Sequence, residues 1–188
     1  LLNLAYETMF NAIKNISSDY ADIENAKKMA LYSQAATVIA SKAGVDGMVG
    51  GQSLDVYLTD KPMDKEQLDY IFRLKTGALI EAAFMAGGIL AGCDEKTQGL
   101  LCKAGYNVGF AFQIKDDILD VTSTQEVLGK PVLSDERNNK TTYVTLYGLE
   151  KAEKDTYDMS KEAMGIIKSI GHNEYLEELI DMLIHRNK

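Results

Sequence analysis

Apolar residues recur along most of this chain at spacings of three and four rather than two. Leu68, Phe72, Lys75 and Leu79 follow one another at +4, +3 and +4, which sets Lys75 on an otherwise apolar stripe. Tyr6, Met9, Phe10 and Ile13 mark a second stripe, and Met29, Tyr32 and Ala36 a third. This is the period of helices with one buried face, not the alternation of half-buried strands. Only two prolines, Pro62 and Pro131, interrupt it. The turn signals at Asp19, Asp60 to Asp64 and Gly92 to Asp94 divide the pattern. The predicted helices are Leu1 to Ile16, Ile23 to Lys42, Gly47 to Leu58, Lys65 to Ala91, Glu95 to Val121, Thr141 to Tyr147, Lys151 to Ser169 and Asn173 to His185.

The expected fold class is therefore all-α, a helical bundle whose inward faces can carry a site. No repeat, low-complexity tract or interdomain linker is evident, so residues 1–188 read as part of one domain. The one extended loop expected is Ser123 to Lys140. Long loops in compact domains tend to be functional lids, and the lysines of this one favour that reading.

Composition narrows the function. An apolar content of 46% over 188 residues supports a sizeable core. A formal charge of −8 without a basic stripe argues against nucleic acid as a partner. Gly99, Gly105 and Gly109 fall inside one predicted helix, where each costs about 1 kcal/mol relative to alanine if exposed. Close packing against neighbouring helices is the expected reason for them. Cys93, Cys102, His172 and His185 lack zinc-ligand spacing, so free, buried thiols are expected, in a reducing, cytoplasmic setting. No stretch has the length of uncharged apolar sequence needed to span a bilayer.

One helix face is written in oxygen instead of carbon. Gln113, Asp116, Asp117 and Asp120 stand at i, i+3, i+4 and i+7. Two carboxylates one turn apart, at about 5–6 Å and an effective dielectric near 20, repel by roughly 3 kcal/mol. Three of them call for a counter-charge. A hard divalent cation such as Mg²⁺, with Mn²⁺ as an alternative, takes oxygen ligands and sits on one or two carboxylates plus substrate phosphates. Lys130, in Gly129-Lys130-Pro131, and Lys140, after Asn138-Asn139, follow on the loop, where they can close over phosphate oxygens.

The stretch from Phe112 to Lys140 resembles the second aspartate-rich motif of the trans-isoprenyl diphosphate synthases, which reads FQxxDDxxD followed by GKxxxxDxxxxK. Gly50-Gly51-Gln52-Ser53-Leu54-Asp55 is similar to that family's GGQxxD segment, and Arg73-Leu74-Lys75-Thr76-Gly77 to its KT segment. The resemblance covers nearly the whole chain. The family also carries an earlier DDxxD with paired arginines and a basic isopentenyl diphosphate pocket, none of which is present here. These residues are accordingly expected to be a carboxyl-terminal fragment lacking roughly the first third of a synthase.

The resemblance implies Mg²⁺-dependent condensation of an allylic diphosphate (dimethylallyl, geranyl or farnesyl) with isopentenyl diphosphate. It implies Asp116, Asp117 and Asp120 as metal ligands, and Lys75, Gln113, Lys130 and Lys140 as diphosphate ligands. Lys75, Thr76 and Gln113 take the catalytic roles, with Gln52 and Asp55 supporting. Thr76 offers a hydroxyl, or a main-chain carbonyl if its helix is distorted, to a developing cation. A homodimer is implied as well, and the fragment alone is expected to be inactive. The rival readings are a class I terpene cyclase and a non-catalytic partner subunit.

Overall fold

A computed structural model of the chain describes residues 2–16, 22–123 and 141–186. The described residues form helices α1 (Leu2–Lys14), α2 (Ile23–Ala43), α3 (Met48–Tyr57) and α4 (Lys65–Ile71), then a π-helical segment (Phe72–Gly77) and α5 (Ala78–Leu90). They continue through α6 (Glu95–Thr122), α7 (Tyr143–Tyr147), α8 (Leu149–Ile170) and α9 (Glu174–His185). No strand occurs among them, and the all-α class stands.

Five of the helices, α2, α4, α6, α7 and α9, begin where the sequence supplies an oxygen for an orphaned amide. Asp22 accepts from the N–H of Glu24 at 2.8 Å, Asp94 from Thr97 at 2.8 Å and Asn173 from Leu176 at 3.0 Å. Asp64 with Gln67, and Thr142 with Thr145, close reciprocal capping boxes. Between α7 and α8 the chain turns at Gly148, whose φ of +83° is a conformation that side-chain-bearing residues rarely adopt.

α6 is the axis of the bundle. Phe110, Ile114 and Ile118 on one flank pack with Leu68, Ile71 and Phe72, and with Tyr143 and Ala152. Leu101, Ala104 and Val108 on another meet Ala163 and Ile167 of α8 and Ile180 of α9. α2 closes over α5 through Ala35, Ala86 and Ile89. Burying side chains such as Leu68, Ile89, Ile114 and Ile180 contributes about 1.5–3 kcal/mol each.

Glycines set how near α6 comes to its neighbours. A Cβ on Gly105 would lie 2.8 Å from the Cα of Glu81, and one on Gly109 would lie 2.6 Å from the Cα of Gly77. These two meet the packing expectation. Gly99 does not, because nothing lies within 4 Å of the position its Cβ would take.

A second correction concerns the helix expected to run unbroken from Lys65 to Ala91. Its middle is π-helical, with about one extra residue in the turn. Leu68 and Phe72, before the insertion, are buried as the stripe requires. Leu79, after it, is 41% exposed, and Ala78 takes the inward position. Cys93 and Cys102 are free, as expected, but half-buried rather than buried. The Cys102 thiol points at Glu81 Oε2 from 3.8 Å, and burial together with that carboxylate pushes its pKa up.

Candidate metal and diphosphate site

The oxygen-bearing face of α6 divides into three environments. Asp116 keeps 45% of its side chain exposed. Asp117 is 8% exposed and Asp120 only 2%. Gln113, one turn before Asp116 and Asp117, is half-buried. The acidic face is thus not uniform: one carboxylate faces outward and two face in.

Asp117 has a local role. Its Oδ2 accepts the backbone N–H of Tyr143 at 2.6 Å and so fixes the first turn of α7 against α6. A carboxylate beside a helix N-terminus is stabilised by orphaned amides and by the helix dipole. Tyr143 is in turn held by its hydroxyl, which donates to Asp155 Oδ2 at 2.6 Å. Burial, then the hydrogen bond to Asp155, raises the pKa of that phenol well above the usual range. Phe72, Phe110 and Tyr147 pack their rings around Tyr143 at centroid distances of 6.4, 6.2 and 4.5 Å.

Lys75 points inward to an anion, and that anion is a side chain of the same molecule. Its Nζ lies 2.6 Å from Asp55 Oδ2, with Lys75 a third exposed and Asp55 less so. The pair ties α3 to the π-helical segment. Gly51 makes the approach feasible, since a Cβ there would stand 2.3 Å from the Lys75 amide nitrogen. Gln52 lies half-buried on α3. Thr76 sits inside the π-helical segment, so the main-chain distortion on which its carbonyl role depends is present.

Sequence reasoning missed Arg186, the residue after α9. Its Nη2 donates to the Phe112 carbonyl at 3.0 Å and to Asp116 Oδ1, and its guanidinium carbon lies 3.9 Å from the centre of the Phe112 ring. Arg186 and Asp116 are seventy positions apart, and no spacing rule connects them. Lys130, Lys140 and the expected lid from Ser123 to Lys140 lie, apart from Ser123 itself, outside the described residues.

Among the described residues no three His, Cys, Asp or Glu side chains converge on a closed cation cage. What α6 presents is a single open carboxylate with an amide oxygen one turn away. That hard-oxygen donor set fits a magnesium ion that draws its other ligands from water and phosphate. No helix among the described residues is long and apolar enough to cross a membrane.

Comparison with known proteins agrees with this architecture. Residues 3–183 match the polyprenyl synthetase family model. The chain is 37% identical over 177 residues to farnesyl diphosphate synthase of Escherichia coli, covering 91% of this chain and 58% of that protein. It is 33% identical over 189 residues to geranylgeranyl diphosphate synthase of Cyanophora paradoxa, covering all of this chain and 59% of the relative. Thus it spans somewhat over half the length of these relatives. Among solved structures, it superimposes with a TM-score of 0.67 and 28% identity on a Helicobacter pylori geranyltransferase complexed with magnesium and isoprenyl diphosphate, covering 92% of this chain and 55% of that one. A helix bundle built around one aspartate-rich turn, matched over nearly its whole length, places the chain in the polyprenyl synthetase family, the trans-isoprenyl diphosphate synthases.

Proposed function

We propose that this chain is the part of a short-chain trans-prenyltransferase that binds and helps to ionise an allylic diphosphate. The reaction breaks the allylic C–O bond, with the electron pair leaving on diphosphate. The double bond of isopentenyl diphosphate then adds to the allylic cation, and a proton is lost to give a longer trans-prenyl diphosphate, farnesyl or geranylgeranyl.

Asp116 carries the reading, because it is the one aspartate of the motif left open on α6 while its neighbours turn inward. It would hold Mg²⁺ directly, with Asp117 and Asp120 holding its waters or flanking ions. When bound, the metal supplies Lewis acidity to the leaving diphosphate. Lys75, oriented by Asp55, together with Lys130 and Lys140, supplies positive charge where the leaving group becomes more negative. Gln113 and the oxygens of Thr76 face the allylic cation. Closure of the loop lysines over diphosphate would keep out water, which would quench the cation to an alcohol.

The remaining features are consistent with a homodimer formed through α1 and α2, where Leu4, Phe10 and Ile23 are exposed. Two free thiols suit a reducing cytoplasm. The direct test is calorimetry of pyrophosphate binding to the protein at its full encoded length. Binding should require Mg²⁺ and should be lost in both Asp116→Ala and Lys140→Ala. Pyrophosphate binding indifferent to Mg²⁺ would remove the basis of the proposal.

A further inference from the structure

Arg186 makes a better-defined set of contacts than a surface ion pair needs. Its side chain is 16% exposed, against 45% for Asp116. It lies on the Phe112 ring, donates to the Phe112 carbonyl and pairs with Asp116, so one guanidinium engages two successive turns of α6. The planar, weakly hydrated guanidinium suits stacking and hydrogen bonding at once, which an ammonium does not.

The seat is nevertheless incomplete. The Nε of Arg186 is buried with no hydrogen-bond partner among the described residues. A buried donor left unmade weakens the arrangement that buries it. Phe112 and Asp116 therefore retain Arg186 without satisfying it fully, and nearly half of the Asp116 side chain stays exposed.

We propose that Arg186 is a placeholder cation on the Asp116 carboxylate. It neutralises and orients Asp116 when no metal is bound, and it must leave that carboxylate for a divalent ion to bind. The inference rests on the proposed metal role of Asp116 and adds a competitor to it. A guanidinium on one carboxylate oxygen repels a divalent cation arriving at the other, so the two ligands exclude each other electrostatically. Arg186 is thus a positioning residue, acting through Asp116. Its effect has a definite sign: it holds Asp116 in the absence of metal and weakens the metal's hold on that carboxylate.

The test is titration calorimetry of Mg²⁺ in the presence of pyrophosphate, on the protein at its full encoded length. Arg186→Met, which keeps an unbranched side chain against Phe112, should tighten apparent Mg²⁺ affinity by roughly threefold to tenfold, as expected for removing a partly exposed charge pair. Arg186→Lys, which keeps the charge but cannot reproduce the stacked geometry, should fall between Met and wild type. In parallel, melting without metal should show Arg186→Met less stable than wild type, with the difference shrinking once Mg²⁺ and pyrophosphate are saturating. A merely structural arginine would give no tightening. Unchanged or weakened Mg²⁺ affinity in Arg186→Met, with Asp116→Ala still abolishing binding, overturns the placeholder and leaves the metal site intact. Loss of any Mg²⁺ response in wild type overturns both.

Discussion

Asp117 shows how one side chain can be claimed by two needs. Its place in a DDxxD string marks it as a metal ligand, yet in the folded chain one of its oxygens is committed to the Tyr143 N–H at 2.6 Å. The two roles separate by substitution. Asparagine keeps an oxygen able to accept that amide, whereas alanine leaves a buried N–H unpaired at a cost of about 1–3 kcal/mol. Asp117→Ala should therefore lower stability by about that amount in chemical denaturation, and Asp117→Asn by clearly less. Equal losses in the two variants would show that charge, and not the hydrogen bond, holds α7 to α6. Nothing in the sequence announces this bond, because donor and acceptor are 26 positions apart. Arg186 was illegible for the same reason. Spacing rules read one helix at a time, and these pairs belong to the packing of two. The positions of Gln113, Asp116 and Lys75 on their helices stood out in the sequence because their neighbours within a helix already made them chemically out of place.

Among the elements, the period of apolar residues located every described helix to within a few residues, since most of them bury an apolar face, although no described residue of α1 is buried. It could not locate the π-helical segment. An inserted residue rotates everything after it, so the pattern before and after Phe72–Gly77 reads as one helix with a slightly drifting stripe. The exposed Leu79 and the buried Ala78 record that rotation. Glycine was read correctly at two positions and wrongly at one, because a glycine that lets helices touch and a glycine in open space look identical in sequence. Alanine substitution should separate them. Gly109→Ala drives a Cβ to 2.6 Å from the Gly77 Cα, backbone against backbone, and Gly51→Ala drives one to 2.3 Å from the Lys75 amide nitrogen. Each should destabilise by about 1–3 kcal/mol, with Gly51→Ala also disturbing the segment that carries Lys75 and Thr76. Gly99→Ala meets nothing within 4 Å, and it should stabilise by up to about 1 kcal/mol through helix propensity alone. The thermal shifts of the three variants should therefore differ in sign, and a uniform sign would show that propensity or packing had been misjudged throughout.

For the molecule as a whole, charge decides what these residues can do unaided. The chain has a formal charge of −8, and its proposed substrates are polyanions, so long-range electrostatics opposes their approach. Local cations must reverse that, and the described part of the site supplies few: Lys75 is already paired with Asp55, and Arg186 with Asp116. Divalent metal held by the acidic face is the proposed further source of positive charge, and these 188 residues hold a single DDxxD motif. A diphosphate leaving an allylic carbon needs positive charge on more than one of its oxygens, and one open carboxylate anchors too little metal for that. The 188-residue chain expressed alone should accordingly form no measurable trans-prenyl diphosphate from geranyl and isopentenyl diphosphates at saturating Mg²⁺, in a radiolabel incorporation assay. It should still bind pyrophosphate weakly, in a Mg²⁺-dependent manner that Asp116→Ala abolishes. Absent turnover with retained binding is the signature of half a metal clamp. Robust farnesyl diphosphate synthesis by the chain alone would mean that α6 and its loop hold all the metal the ionisation requires.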